Sequence, residues 1–180
     1  MRLHLVRHAE VTPRPELPGP SWLLSAAGRE AAERLGASDR WAPCAAVYTS
    51  PEPKAVATAQ RIAAPPGLPL RIDRDLREVD GRPWSDDYRG DVRRYLAGEA
   101  VAGWEPRDEA LARVREAVAR IASAGEEAAI VSHGLVLTLY LADLQSLDAD
   151  ATFALWSSVR FPDVALVDVA AGRVLEAFGS

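Results

Sequence analysis

The sequence predicts a single α/β domain over residues 1–180, built on a mostly parallel sheet that helices cover on both faces. Short apolar runs alternate with segments whose apolar residues recur at helical spacing, and strands joined by helical crossovers run parallel. A chain of 180 residues with 48% hydrophobic residues is long enough to bury one core. No internal repeat or low-complexity linker divides it, which favours one domain.

The first half of the chain is predicted to hold three strands and two helices. Ser25 is typical of a helix N-cap, and Ser50 followed by Pro51 is typical of the start of the second helix, with Pro51 in the first helical position. Four prolines between residues 13 and 20 predict a stiff loop before the first helix. The predicted order is strand 3–6, helix 26–35, strand 45–48, helix 51–63 and strand 68–72.

The second half is predicted to hold three helices, one strand and a C-terminal hairpin. Pro106 opens the longest helix, and Gly125 lies where a helix ends. Ala170-Ala171-Gly172 separates two apolar runs, which is typical of a hairpin turn. The predicted order is helix 86–97, helix 106–124, strand 128–132, helix 135–144 and the hairpin strands 164–169 and 174–178.

The composition argues against several classes of protein. A net charge of −5 and a pI near 5.3 disfavour non-specific binding to nucleic acid, which needs a basic face. The single cysteine, Cys44, suits a reducing compartment and is expected to be packed rather than nucleophilic. His4 and Arg7 interrupt the N-terminal apolar run, which argues against a signal peptide, and no stretch approaches the roughly 18–20 apolar residues of a membrane span. We therefore expect a cytoplasmic protein without a membrane partner.

Two predicted strands end in the same way, LHLVRH and AAIVSH, each with a histidine followed by a small residue. His8 precedes Ala9 and His133 precedes Gly134. Ligands of open α/β sheets bind outside the carboxyl ends of the strands, so these two histidines are candidate site residues. The third histidine, His4, lies inside a strand and is expected only to pack or to form a hydrogen bond there.

Lys54 is the only lysine among 21 basic residues, and it falls in the first turn of a predicted helix. A cation there opposes the helix dipole, so a bound anion between the lysine and the free N–H groups would account for its position. The alternative is a solvated surface lysine. In that case Arg61 or Arg77 would be the next candidates for binding an anion.

Five segments of the sequence, in order and with plausible spacing, resemble the histidine phosphatase superfamily, which has the phosphoglycerate mutase-like fold. They are RHAE, LSAAG, YTSPEPKAVATA, LREVDG and VSHG, and together they cover nearly the whole chain. The resemblance implies a three-layer α/β/α domain, with a mostly parallel central sheet and an antiparallel strand near the C-terminus.

The resemblance also implies roles for the matching side chains. His8 would be the nucleophile, attacking phosphorus through a neutral ring nitrogen while its other nitrogen donates to a backbone carbonyl. An imidazole with its ordinary pKa near 6.5 is largely neutral at pH 7. Arg7, Lys54 and a charged His133 would bind the phosphoryl oxygens, with Lys54 at a position that is usually arginine in the family. Such a cluster can replace a metal ion, so no metal or other cofactor is implied.

Glu78, in LREVDG, matches the family acid that protonates the leaving oxygen. Asp75 and Asp80 lie close by and would substitute if the register of the match differs. A carboxylic acid serves this purpose at neutral pH only where burial or a nearby anion, such as a bound phosphate, favours its protonated form. The alternative is an exposed loop carboxylate paired with Arg77 or Arg82.

The sequence departs from the family pattern at three places. Ala9 stands where glycine is common, which is a mild change. The next loop lacks the usual asparagine, so Thr12 or Ser21 would have to supply the missing donor. Segment 81–105 is short and rich in arginine, aspartate and aromatic residues, and it could be a substrate lid or a solvated charged surface.

The favoured function is a metal-independent phosphatase that acts on a small phosphorylated metabolite or on a phosphohistidine in a phosphoprotein. A phosphoglycerate mutase is the second candidate, but mutases must hold a second anionic group and typically carry longer insertions. A phospho-ligand-binding module that has lost the catalytic rate is the third. A metallohydrolase has less support, because no helix-borne ligand spacing is present. The oligomeric state is left open.

Overall fold

The computed structural model describes residues 1–179, which form six strands and six α-helices. The first half comprises β1 (Arg2–Arg7), α1 (Ala26–Gly36), β2 (Ala46–Thr49), α2 (Pro53–Ala63) and β3 (Leu70–Ile72). The second half comprises α3 (Tyr88–Leu96), α4 (Arg107–Ala122), β4 (Ala128–Ser132), α5 (Gly134–Gln145), α6 (Ala149–Ser158), β5 (Asp163–Asp168) and β6 (Arg173–Glu176). None of the helices in this part of the chain is long and apolar enough to cross a membrane.

The strands form one sheet in the order β3-β2-β4-β1-β5-β6. β1, β2, β3 and β4 are paired in parallel, whereas β5 is antiparallel to both β1 and β6. The predicted mostly parallel sheet with an antiparallel strand near the C-terminus is therefore confirmed. Because β4 lies between β1 and β2, the segments that leave the carboxyl ends of these three strands meet at one edge of the sheet.

Helices cover both faces of the sheet, as expected for three layers. Leu3 and Leu5 of β1 pack in one buried cluster with residues of α4 and α5. Val6 points to the opposite face and packs in a second cluster with residues of α2. Each fully buried side chain of this kind stabilises the fold by roughly 1.5–3 kcal/mol, so the central strands are held firmly from both sides.

The second helix begins two residues later than predicted. Pro53, not Pro51, is its first residue, and Glu52, not Ser50, occupies the N-cap position. A proline disfavours helical backbone at the residue before it, and both Ser50 and Glu52 precede prolines. The backbone therefore bends at Pro51 and Glu52 before the helix begins, and Ser50 Oγ lies 2.7 Å from His133 Nε2. By contrast, the predicted cap of α1 is confirmed, because Ser25 accepts a hydrogen bond of 2.8 Å from Gly28 N.

The sequence analysis missed α6, which lies between the apolar helix α5 and the C-terminal hairpin. Asp148 is its N-cap, and its carboxylate accepts a hydrogen bond of 2.8 Å from Ala151 N. Aspartate before a helical run is a usable start signal, but the apolar residues of α6 show little helical periodicity. The hairpin itself is confirmed, with strand bounds that differ from the prediction by one or two residues.

Segment 81–105 is partly core and partly surface. Tyr95 of α3 and Phe153 of α6 lie in a third buried cluster beside α5. Trp84 is 56% exposed, and its ring centroid lies 6.3 Å from that of Trp22 in the proline-rich loop. The packed part of the segment thus holds its exposed turn next to that loop.

A buried arginine fixes the segment that carries Glu78. Arg113 of α4 donates from Nη1 to the carbonyl oxygens of Asp75 and Arg77, at 2.7 and 3.0 Å. Its guanidinium also pairs with both carboxylate oxygens of Glu105, at 3.0 and 2.7 Å. A bidentate pair of this kind is both strong and directional, so the backbone before Glu78 has a defined position relative to the sheet.

Candidate active site

The two histidines that end β1 and β4 lie side by side. The parallel register sets Arg7 opposite Ser132, and His8 N donates to Ser132 O at 3.0 Å. The ring centroids of His8 and His133 are 5.1 Å apart, with an edge-on arrangement. The pairing of β1 with β4 therefore brings together the two histidines that the strand ends suggested as candidate site residues.

The neutral form of His8 has a defined tautomer. Nδ1 lies 2.8 Å from the carbonyl oxygen of Ala9, which can only accept, so Nδ1 carries the hydrogen and Nε2 keeps its lone pair. Burial, together with the charges of Lys54, Arg7 and Arg82, lowers the pKa of His8 to about 3 despite this hydrogen bond. The imidazole is therefore neutral across the physiological pH range, without relying on its ordinary pKa.

Arg7, next to His8, is held in place by contacts on three sides. Its Nη1 donates to Val159 O at 2.6 Å, and Cζ lies 3.4 Å from the centroid of the Phe161 ring. A Cβ atom at position 134 would lie 2.9 Å from Cζ, so Gly134 is needed for this close approach. Burial lowers the pKa of Arg7 to about 10, although the nearby Glu78 carboxylate opposes the change. The guanidinium is still charged at neutral pH.

Lys54 is buried beside the site and is not a solvated surface lysine. Its side chain is 6% exposed, and Nζ donates to Glu52 Oε2 at 2.5 Å and to Gly19 O at 2.9 Å. Burial lowers the pKa of Lys54, and the Glu52 carboxylate opposes this effect. The conflict between a cation and the N-terminal helix dipole is thus relieved within the chain, by Glu52.

His133 is fully buried at the N-cap position of α5. Its Nε2 lies 2.7 Å from Ser50 Oγ and 3.3 Å from Glu52 Oε1. Its Nδ1 is buried and has no hydrogen-bond partner within residues 1–179. Burial is the largest cause that lowers the pKa of His133 well below its usual value. The neighbouring His8 ring and the cations Lys54, Arg82 and Arg7 add to this effect. The free protein therefore holds a neutral His133, and not the charged one that the resemblance implies.

Glu78 is a buried carboxylate bound to the start of α5. Its Oε1 accepts from Val79 N and Val136 N, both at 3.0 Å, and its Oε2 accepts from Leu135 N at 3.1 Å. Three backbone N–H groups, two of them in the first turn of α5, hold this carboxylate in place. Because Glu78 is only 6% exposed and its carboxylate binds backbone amides, the alternative of an exposed carboxylate paired with an arginine is wrong.

The fallback candidates lie away from the two histidines. Asp80 is exposed and pairs with Arg77 at 2.6 Å, and Asp75 accepts from Arg120 at 2.9 Å on the surface. Arg61 donates to Ala57 O within α2. The side chains of Thr12 and Ser21 are both exposed, and Ser21 Oγ donates to Pro18 O, so neither replaces the missing asparagine.

Two residues outside the site agree with expectation. His4 lies within β1 and pairs with Glu127 at 2.9 Å, at the end of the sheet opposite His8. Cys44 is packed in the core beside α2, and burial raises the pKa of its thiol to about 11, which disfavours the reactive thiolate.

Two charged residues at this site escaped the sequence analysis, Glu52 and Arg82. Arg82 donates to Val79 O at 2.7 Å and to the Tyr88 hydroxyl at 2.8 Å. Its charge acts on both histidines and on Lys54. Both residues lie in irregular segments, where periodicity does not fix the direction of a side chain. The sequence carries one weak signal for Glu52: it lies two residues before the single lysine, Lys54, and this spacing allows an ion pair.

The fold and this arrangement at the strand ends agree with the family comparison. The chain belongs to the histidine phosphatase superfamily (branch 1), which it matches over residues 3–158. The resemblance drawn from the five sequence segments is thereby confirmed.

Individual relatives are known from sequence and from structure. The chain is 36% identical over 188 residues to Uncharacterized protein Rv0525 of Mycobacterium tuberculosis, a match that spans 93% of this chain and 87% of that protein. Bacillus stearothermophilus YhfR is similar in structure with a TM-score of 0.81 and 26% identity, over 99% of this chain and 96% of that chain. The mycobacterial glucosyl-3-phosphoglycerate phosphatase Rv2419c, in complex with VO3, shares the fold with a TM-score of 0.78 and 22% identity, over 93% and 92% of the two chains.

Burial of His8 in its neutral form predicts a specific loss of stability in mild acid. In the unfolded chain, histidine binds a proton below a pKa near 6.5, whereas folded His8 does so only near pH 3. The free energy of unfolding should therefore fall as the pH decreases from 6.5 to 5, by about 1.4 kcal/mol per pH unit for each such histidine. In a folded His8→Gln variant, urea unfolding should show a smaller decrease over this range. An identical pH dependence in the variant and the parent would contradict the neutral burial of His8.

Proposed function

We propose that this protein is a metal-independent phosphatase that hydrolyses a phosphate monoester through a phosphohistidine at His8. The observation that carries the proposal is the fixed tautomer of His8, whose Nδ1 is bound to Ala9 O while Nε2 keeps a free lone pair. Three cations, Arg7, Lys54 and Arg82, act on this ring. A neutral nitrogen nucleophile next to clustered positive charge suits attack on an anionic phosphoryl group.

In the first step, His8 Nε2 attacks phosphorus, the bond from phosphorus to the ester oxygen breaks, and Glu78 gives a proton to that oxygen. In the second step, water attacks the phosphohistidine, Glu78 accepts a proton from the water, and the phosphorus–nitrogen bond breaks to release phosphate. In the free protein, Arg7 donates to Val159 O and Lys54 donates to Gly19 O. When substrate binds, phosphoryl oxygens would replace these two carbonyl acceptors.

Glu78 must change its protonation state between these steps. Its three backbone donors hold the carboxylate oxygens in place, as the role of base in the second step requires. A bound phosphate dianion nearby favours the protonated acid that the first step needs. The substrate itself would thus prepare Glu78 for the first proton transfer.

The proposed substrate is a small phosphorylated metabolite or a phosphoprotein, in a cytoplasmic setting that suits the single thiol of Cys44. The exposed turn at Trp84 and the proline-rich loop at Trp22 lie next to each other. We assign these two segments as the lid over the bound substrate.

The direct test is hydrolysis of p-nitrophenyl phosphate in the presence of EDTA. The parent should turn over, and His8→Ala should lose essentially all activity because it lacks the nucleophile. His4→Ala is the matched control, since His4 is also buried but lies outside the site. EDTA-sensitive turnover would favour a metallohydrolase, glycerate-dependent phosphoryl exchange a mutase, and phosphate binding without turnover a binding module.

The role of Glu78 as the acid predicts a dependence on the leaving group. Glu78→Gln should lower kcat by about 10²-fold or more on an alkyl phosphate such as glycerol phosphate, because an alkoxide leaves poorly without a proton. The loss on p-nitrophenyl phosphate should be much smaller, since p-nitrophenolate leaves without help. Steady-state kinetics on both substrates measures the difference. Equal losses on the two substrates would show that Glu78 does not protonate the leaving oxygen.

A further inference from the structure

Glu52 is a buried carboxylate that the proposed chemistry does not use. It is 7% exposed, and both of its oxygens are bound within the site. Oε2 accepts from Lys54 Nζ at 2.5 Å, and Oε1 accepts from Glu78 N at 2.9 Å. Oε1 also lies 3.3 Å from His133 Nε2. A negative charge beside a pocket for anions weakens the binding of those anions. We therefore expect Glu52 to have a function that compensates for this loss of affinity.

We propose that Glu52 is a positioning residue that allows His133 to become a cationic phosphate donor when substrate binds. Its carboxylate lies 3.3 Å from His133 Nε2 and favours a hydrogen on that atom, so that the proton gained by the imidazole resides on Nδ1, which donates to a phosphoryl oxygen. The inference rests on the proposed function, because it assigns a role within the same phosphate site.

The hydrogen-bond geometry of His133 supports this assignment. The Glu52 carboxylate, 3.3 Å from Nε2, would repel a lone pair on that atom, so Nε2 carries a hydrogen, which Ser50 Oγ accepts at 2.7 Å. In the neutral ring, Nδ1 then carries a lone pair. This Nδ1 atom is buried and has no hydrogen-bond partner within residues 1–179. Protonation turns this unused acceptor into a donor, which is the group that a phosphoryl oxygen requires.

The charge balance around His133 decides when this proton is bound. In the free protein, burial and the nearby cations lower the pKa of His133 well below its usual value. A phosphoryl dianion adds negative charge to the pocket, and Glu52 adds a carboxylate in direct reach of the ring. The titratable groups around His133 are Arg7 and His8 at the end of β1, Glu52 and Lys54 at the start of α2, and Glu78 and Arg82 in the segment after β3.

Replacement of the carboxylate by an amide separates this role from simple packing. Glu52→Gln keeps the acceptor for Glu78 N but removes the charge, so kcat should fall about tenfold or more, as for the loss of one donor in the transition state. KM should stay equal or decrease, because Lys54 is released from its ion pair. The alkaline limb of the kcat profile should move to lower pH. A merely structural role would instead lower kcat at all pH values without moving the limb, and that result would overturn the proposal.

The protonation state of His133 can be measured without turnover. Protein labelled with ¹⁵N at its three histidines gives separate imidazole signals, which variants of each histidine assign. With orthovanadate at pH 7.5, parent His133 should be an imidazolium and Glu52→Gln His133 neutral. Glu127→Gln is the matched control, because Glu127 pairs with His4 at the far end of the sheet, and it should leave His133 and kcat unchanged. Equal protonation of His133 in parent and Glu52→Gln would overturn the proposal.

Two further outcomes keep the inference separate from the proposed function. A neutral His133 in the vanadate-bound parent overturns the role of Glu52 even if Glu52→Gln does not fold. A charged His133 in a parent that binds vanadate but hydrolyses no ester refutes the phosphatase and leaves the role of Glu52 standing. Glu52→Asp, which keeps the charge, should retain more of the parent kcat than Glu52→Gln does.

Discussion

The parallel register between β1 and β4 sets His8 beside His133, and burial then keeps water from both imidazoles. The other features of the site depend on this desolvation. It keeps His8 neutral, as the proposed nucleophile must be, and it makes every charge placed nearby act more strongly than it would in water. Burial lowers the pKa of both Arg7 and Lys54, and a carboxylate opposes this effect in each case, Glu78 for Arg7 and Glu52 for Lys54.

The same desolvation sets two opposing demands on the charged groups of the site. Positive charge must be concentrated to bind a phosphoryl group, yet buried cations without counterions strongly destabilise a fold. Glu52 and Glu78 provide those counterions, each in a different way. Glu52 pairs with Lys54 directly, whereas Glu78 binds backbone amides at the start of α5 and acts on Arg7 at longer range. The proposed phosphate site thus contains balanced positive and negative charges and is not a purely positive pocket.

Much of this arrangement could be predicted from the sequence, because the spacing of apolar residues distinguishes strands from helices. Alternating strands and helices gave the parallel sheet, and the endings of two strands gave His8 and His133. The order of the strands does not follow from periodicity, so the contact between these histidines needed either the family resemblance or the structure. Glu52 and Arg82 lie outside helices and strands, where only tertiary contacts decide the direction of a side chain. The start of α2 was misplaced because two prolines compete for the same role, and the residue before each is held out of the helix.

The central claim is that a phosphoryl group is carried by His8, and trapping it there is the most direct measurement. Glu78→Gln, which lacks the base for the second step, should be mixed with p-nitrophenyl phosphate, quenched in alkali after a few turnover times and mapped by mass spectrometry. The account predicts a phosphoryl group on the peptide that contains His8, stable in alkali and lost in acid, as expected of a phosphoramidate. Continued turnover with no phosphoryl group on that peptide, in the variant and in the parent, would contradict it.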